Sequence, residues 1–349
     1  MPSSTPRSRP ILILGILAAA APFVPACTAP SEPASLPDNC DSKTGLFSPF
    51  SVLEADDHPC RPWVESVYGR AARSSNASAA VWTTQTESGA GLLVSAVHTL
   101  GVGWYTPAGQ DVPEVLQDPA ATTGVPRIFL ITSNGAAVDD RATPMFDLYN
   151  PAIPGEENAN FFFDILPRHD FFVAVVDDQK IDVSPLVGMP ELLRNEPPAL
   201  FDPAGLAMGT PTYAAAEPGE LVMMIGFPGS GTLAGQLAAS VGRVLDDDEA
   251  EQAIVDLAAA GDVEGDIAYD AEVEMLVEGE ALGGMSGSGV FDTAGRLVGV
   301  LVRASDPLEG TRYIRAVRMT FIASELEGAF ADLPPIDQEA VAPYVEALP

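Results

Sequence analysis

An all-β fold is the class this sequence predicts, and three features point to it. Short β-branched or aromatic runs recur along the chain, each bounded by Gly, Pro, Asn or Asp. Only two stretches carry a helical pattern, Asp247 to Ala260 and Phe321 to Leu333. No internal repeat is visible, and no glycine-rich phosphate loop follows a strand; Gly226 to Gly231 reads as a turn. Strand-dominated chains with this punctuation form sandwiches or barrels. The runs that read as strands are, in order, Ala79 to Thr84, Gly91 to Val97, Arg127 to Thr132, Phe171 to Val176, Glu220 to Phe227, Ser240 to Leu245, Gly289 to Asp292, Arg296 to Val302 and Thr311 to Val317.

The N-terminal stretch reads differently. Arg7 and Arg9 precede the apolar run Ile11 to Val24, which is too short to span a bilayer and has the form of a signal peptide. The run ends at Val24-Pro25-Ala26-Cys27, which resembles a bacterial lipobox with Pro25 in place of the usual small residue. On this reading Cys27 becomes the lipidated first residue of the mature protein; ordinary cleavage nearby, leaving a secreted protein, is the alternative. The cysteines are Cys27, Cys40 and Cys60, so lipidation of the first leaves Cys40 and Cys60 as a pair for an oxidising compartment. Residues 28 to 75 are rich in proline and serine and read as a lead-in to the fold.

With 349 residues, 47% of them hydrophobic and 19% charged, the chain has ample material for a core. Its formal charge is −32, with Lys43 and Lys180 the only lysines. Such a surface repels nucleic acid and anionic headgroups, so the expected membrane contact is through an N-terminal lipid alone. The acidic run Asp246 to Glu249 lacks the spaced oxygen ligands of a calcium loop and reads as a helix start, where acids oppose the positive end of the dipole. No metal site is expected. The sequence does not specify an oligomeric state.

Chemistry concentrates in Gly283-Gly284-Met285-Ser286-Gly287-Ser288-Gly289, which leads into a strand, a turn and another strand. A nucleophilic serine needs an exposed hydroxyl and amides converging where an oxyanion forms, and neighbouring glycines allow the required backbone angles. A serine also needs a base. The histidines are His58, His98 and His169, all before Ser286. That excludes the order Ser, Asp, His around this serine and leaves His, Asp, Ser or Asp, His, Ser. His98 ends an apolar run, where a strand would aim it. Asp170 opens the run Phe171 to Val176, where a buried carboxylate would orient an imidazole. Asp164, Asp177 and Asp178 compete with it.

Taken together, these segments resemble the trypsin-like serine protease family, bacterial branch. Ser95-Ala96-Val97-His98 is similar to its histidine box, His169-Asp170 to its aspartate box and the Ser286 loop to its serine box; Glu220 to Gly229 and Arg312 to Arg315 resemble two of its later strands. The likeness runs from about Ala79 to Leu333. It implies two antiparallel β-barrels of the chymotrypsin type with a C-terminal helix and the site in the cleft between them. It further implies His98 as general base, Asp170 as its orienting partner, Ser286 as nucleophile, the Gly284 and Ser286 amides as oxyanion hole, a polypeptide substrate and no cofactor. The resulting division is 1–26 signal peptide, 27–75 lead-in, 76–334 protease domain and 335–349 tail.

The sequence departs from the family pattern at Met285, where cleavage-activated members carry an aspartate, at Gly289, usually proline, and at Val302, usually a serine. Gln110 to Asn160 is a long insertion. A non-cleaving, peptide-binding homologue therefore stands as the alternative, with an esterase on the same nucleophile as a third reading. Glu280, Val302 and Arg303 are the candidate lining of a substrate pocket; Glu280 at its base would favour a basic side chain, or else be an exposed acid paired with Arg303.

Overall fold

Hydrogen-bonded antiparallel pairing accounts for nearly all of the architecture. The structure, a computed structural model, describes residues 40–41, 45–74, 77–82, 90–100, 130–132, 136–138, 143–144, 166–177, 182–183 and 213–329, with Ala331 and Ala342. The signal peptide, Cys27, Asp164, Asp178, most of the 110–160 insertion and most of the C-terminal tail lie outside the described residues.

In the C-terminal half, β9 (Leu221–Gly226), β10 (Ala238–Val244), β11 (Glu274–Gly279), β12 (Gly289–Phe291), β13 (Leu297–Ala304) and β14 (Arg312–Arg318) close into a barrel in the order β10-β11-β14-β13-β12-β9. Closure satisfies the backbone groups of every strand edge. Its interior packs Val222, Met224, Val277, Met285, Val290, Val298 and Ile314.

The N-terminal half is a second antiparallel sheet. It comprises β1 (Ala71–Ser74), β2 (Ala77–Trp82), β3 (Ala90–Ser95), β4 (Leu130–Thr132), β5 (Ala136–Val138), β6 (Thr143–Pro144), β7 (Phe172–Asp177) and β8 (Asp182–Val183), ordered β6-β7-β3-β2-β1-β4-β5-β8. The fold is thus mostly β, as expected, but only the second half is a closed barrel among the described residues; the first is an open ordering of strands.

Part of the stretch that reads as a lead-in belongs to the core. Short helices α1 (Pro49–Glu54) and α2 (Arg61–Val67) each have proline in the first two helical positions, where its missing N–H costs nothing. They bury Phe50, Val52, Trp63, Val64 and Val67 in the same cluster as strand residues of both halves. Cys40 and Cys60 form the expected disulfide, with Cα atoms 5.3 Å apart. Helix α3 (Asp247–Ala260) begins where the acidic run predicts, with a capping box in which the Asp246 carboxylate accepts from Glu249 N–H and the Glu249 carboxylate accepts from Asp246 N–H. Helix α4 (Met319–Ala329) follows β14 and buries Ile322, Ala323 and Leu326. No helix among the described residues is long and apolar enough to cross a membrane.

Candidate active site

Two of the three expected catalytic residues meet directly. β3 ends at Ser95, and a 3-10 turn over Val97–Leu100 follows, tied by Thr99 Oγ1 donating to the Ala96 carbonyl at 2.6 Å. The turn presents His98. A second 3-10 turn, Pro167–His169, delivers Asp170 just before β7, which pairs with β3. The two turns therefore sit at one end of the same strand pair. His98 donates its backbone N–H to Asp170 Oδ1 at 2.9 Å, and its Nδ1 lies 2.7 Å from Asp170 Oδ2.

This double contact dictates a tautomer. A carboxylate can only accept, so Nδ1 must carry a proton, and in the neutral ring Nε2 is then a bare lone pair. The Asp170 side chain is fully buried, whereas the His98 side chain remains 16% exposed. Burial pushes the His98 pKa down, but Asp170 beside it outweighs that and leaves the group above its ordinary 6.5. Arg303 opposes this rise and Glu264 assists it. The competitor Asp177 ends β7 opposite Ala90, at the far end of the strand from Asp170.

Ser286 sits in the turn between β11 and β12, half-buried. The loop shape depends on glycine at two places. Gly284 adopts φ +95°, which L side chains rarely occupy. Gly287 adopts φ +86° and presses against β2 so closely that a Cβ would overlap the Ser78 carbonyl. The loop is anchored through the backbone: Gly229 N–H donates to the Gly283 carbonyl at 2.6 Å, Gly287 N–H to Leu301 at 2.7 Å, and Ser78 N–H to the Ser286 carbonyl at 2.9 Å. Among the described residues the N–H groups of Gly284 and Ser286 have no acceptor. These are the two donors expected for an oxyanion. Ser286 Oγ makes no hydrogen bond to His98 among the described residues. What brings the two neighbourhoods together is β2, which binds the Ser286 carbonyl on one side and pairs with β3, the strand leading to His98, on the other.

Met285 is fully buried in the barrel core. Its side chain fills the space beneath the loop with apolar volume, so packing adds to the backbone anchors.

The pocket candidates are placed separately. Val302 is the bulged residue between the paired Leu301 and Arg303 and is buried in the core shared by the two halves. Arg303, also buried, donates Nε to both Glu264 carboxylate oxygens at 2.9 Å. Glu280 accepts from Arg312 Nε at 3.1 Å, on the neighbouring strand. The expected alternative partner of Glu280, Arg303, is therefore corrected: the two belong to different ion pairs. Glu264, on the 3-10 turn Val263–Asp266, was not legible as a site residue. It bridges Arg303 and Arg315, whose Nη1 donates to Glu274 at 2.7 Å, so among the described residues Glu264, Glu274, Arg303 and Arg315 form one buried ion-pair network, whose Arg303 and Glu264 act electrostatically on His98. Among the described residues no group of His, Cys, Asp and Glu is arranged to hold a metal ion.

No family model and no curated protein sequence matches this chain. Among solved structures, it is similar to Rv3671c from M. tuberculosis H37Rv, an inactive-form mutant (12% identity, 80% of this chain and 97% of that chain, TM-score 0.39). It is also similar to the Rv3671c protease in an inactive form (16% identity, 78% and 96%, TM-score 0.38). A third is the thermostable serine protease AL20 from an extremophilic microorganism (12% identity, 73% and 92%, TM-score 0.40).

Proposed function

We propose that the chain is a serine endopeptidase that hydrolyses peptide bonds through an acyl-enzyme, with Ser286 as nucleophile, His98 as base and Asp170 as the group that orients it. The observation that carries this reading is the buried Asp170 carboxylate engaging both the backbone N–H and the Nδ1 of His98. A structural histidine needs one partner; holding backbone and ring together fixes the direction in which Nε2 points.

In the proposed reaction Nε2 takes the Ser286 proton as Oγ bonds to the carbonyl carbon, and the carbonyl electron pair moves onto oxygen. The Gly284 and Ser286 amides stabilise that oxyanion. The adduct then collapses, the amine leaves with the proton from Nε2, and water attacks the acyl-enzyme by the same steps. Asp170, held against Nδ1, stabilises the imidazolium. The arrangement needs no cofactor, and assembly by packing around Met285 removes any need for activation by cleavage.

The test is hydrolysis of denatured casein beside a short-chain ester, with Ser286→Ala as control. Casein cleavage lost in the variant supports the peptidase; ester turnover alone selects an esterase. A second reading, a non-cleaving peptide-binding homologue, is favoured by the missing hydrogen bond between Ser286 and His98. It predicts peptide binding with no turnover by either protein.

We further propose that the protein is exported and held at the bacterial envelope by lipid on Cys27, supported by the basic start, the short apolar run and a disulfide suited to an oxidising compartment. Cys27→Ser expressed in a bacterial host should leave the membrane fraction. Equal labelling of both forms by a fatty-acid analogue would sink the idea.

A further inference from the structure

We infer that the hydroxyl of Ser78 is a positioning group that holds the Gly283–Gly287 loop in the shape that lets its free amides bind an oxyanion. The purpose assigned to the loop rests on the hydrolase reading above; the geometry rests on hydrogen bonds alone.

Ser78 lies in β2, across the domain from the loop in sequence, and its side chain is wholly buried. Its Oγ accepts the Phe227 N–H at 2.8 Å and donates its single proton to the Gly284 carbonyl at 2.9 Å. Its backbone N–H donates to the Ser286 carbonyl at 2.9 Å, and its carbonyl accepts from Ser95 Oγ at 2.7 Å. One residue thereby joins four pieces of the site: the oxyanion glycine, the nucleophile, the turn after β9 and the strand that leads to His98.

The peptide planes explain the consequence. The Gly283–Gly284 plane, which carries the first oxyanion donor, is fixed by Gly229 N–H on the Gly283 carbonyl. The next plane, Gly284–Met285, is fixed at its carbonyl by Ser78 Oγ. With both planes held, Gly284 keeps φ at +95° and its N–H has no freedom to turn back toward a protein acceptor. Gly226 leaves the room this needs, since a Cβ there would lie 2.6 Å from the Ser78 oxygen. Without the hydroxyl, the Gly284 carbonyl and the Phe227 N–H lose this shared partner, and a flip of the loop peptides becomes the route to re-pairing them.

The experiment compares Ser78→Ala with Ser305→Ala in the full chain. Ser305 is a matched control, a buried hydroxyl in the barrel that also accepts a backbone N–H, from Tyr313, and donates to a carbonyl, of Asp306. Ser78→Ala should lower kcat by about 10- to 100-fold with KM within about twofold, and weaken a peptide boronate by a similar factor. The pH midpoint of activity should not move. Exchange of the Met285 and Gly287 amides, the hydrogen-bonded N–H groups of the loop, should rise at least about tenfold, with β11 unaffected. Ser305→Ala should lower stability without these changes. Should the alanine variant fail to fold, Ser78→Cys, which fills the space but donates weakly, must change kcat and exchange in the same direction. Unchanged exchange at Met285 and Gly287, or faster exchange there with kcat retained, overturns the inference. Faster exchange in a protein whose parent hydrolyses nothing supports the positioning role and rejects the hydrolase reading instead.

Discussion

The two halves of the molecule hold their share of the site by different means. The C-terminal barrel presents Ser286 and its amides on a loop fixed at Gly283, Ser286 and Gly287 by backbone hydrogen bonds and underpinned by buried Met285. The N-terminal sheet presents His98 through one side-chain carboxylate, Asp170, at the end of the β3–β7 pair. Backbone anchoring is indifferent to most substitutions, whereas a single carboxylate is a point of failure. Loss of the Asp170 carboxylate should therefore alter chemistry with little loss of fold, whereas in the barrel half a substitution should cost stability where it disturbs the buried support under the loop, at Met285.

The largest effects test the unit as a whole. Ser286→Ala and His98→Ala should each reduce kcat by about a million-fold, and the double variant should be scarcely worse, because the proposed mechanism uses the two groups as one device. Additive losses in a double-mutant cycle would break the proposal that they cooperate. Asp170→Asn should cost about ten-thousand-fold by favouring the wrong tautomer, while the melting temperature moves little. Met285→Asp inverts that pattern. It places an unpaired charge in the barrel core and should destabilise the protein by about 3–5 kcal/mol in chemical denaturation. Near-native stability in that variant would mean the loop is not held by packing. Removing the disulfide with Cys40→Ala and Cys60→Ala is smaller still, about 3 kcal/mol for a loop of this length, and should leave kcat intact.

The pH dependence sharpens the sheet half alone. A base must be neutral, so activity should rise with pH as His98 loses its proton. Because Asp170 holds the His98 pKa above 6.5, the midpoint of kcat/KM should lie above that value. Asp170→Asn removes the charge that raises it and should move the midpoint down. A midpoint at or below 6.5 in the unmutated protein would contradict the electrostatics described for the pair.

How much of this was legible in the sequence differs between the halves for physical reasons. Helix α3 was readable to its ends because Asp246 and Glu249 cap it and Gly261 closes it at φ +79°. Most barrel strands were readable from their apolar runs. β11 was not, since its strand begins on Glu274, an acid buried only because Arg315 meets it across the sheet. Helices α1 and α2 were hidden by proline-rich composition, and their apolar residues matter only once the core exists. Within the site, the glycine pattern marked the Ser286 loop, and the strand-end positions marked His98 and Asp170. Ser78 and Glu264 gave no signal. A serine in a strand and an acid in an acidic stretch acquire meaning only from partners more than 38 residues away, Gly284 and Arg303.

The central claim is that the two halves converge on one activated hydroxyl. A fluorophosphonate probe tests this directly, with the adduct located by peptide mass mapping of the purified protein across a pH series. The account predicts a single adduct on Ser286, absent in Ser286→Ala, strongly suppressed in His98→Ala, and rising in rate with pH through a midpoint above 6.5. Labelling at another serine, or none at any pH, would contradict it.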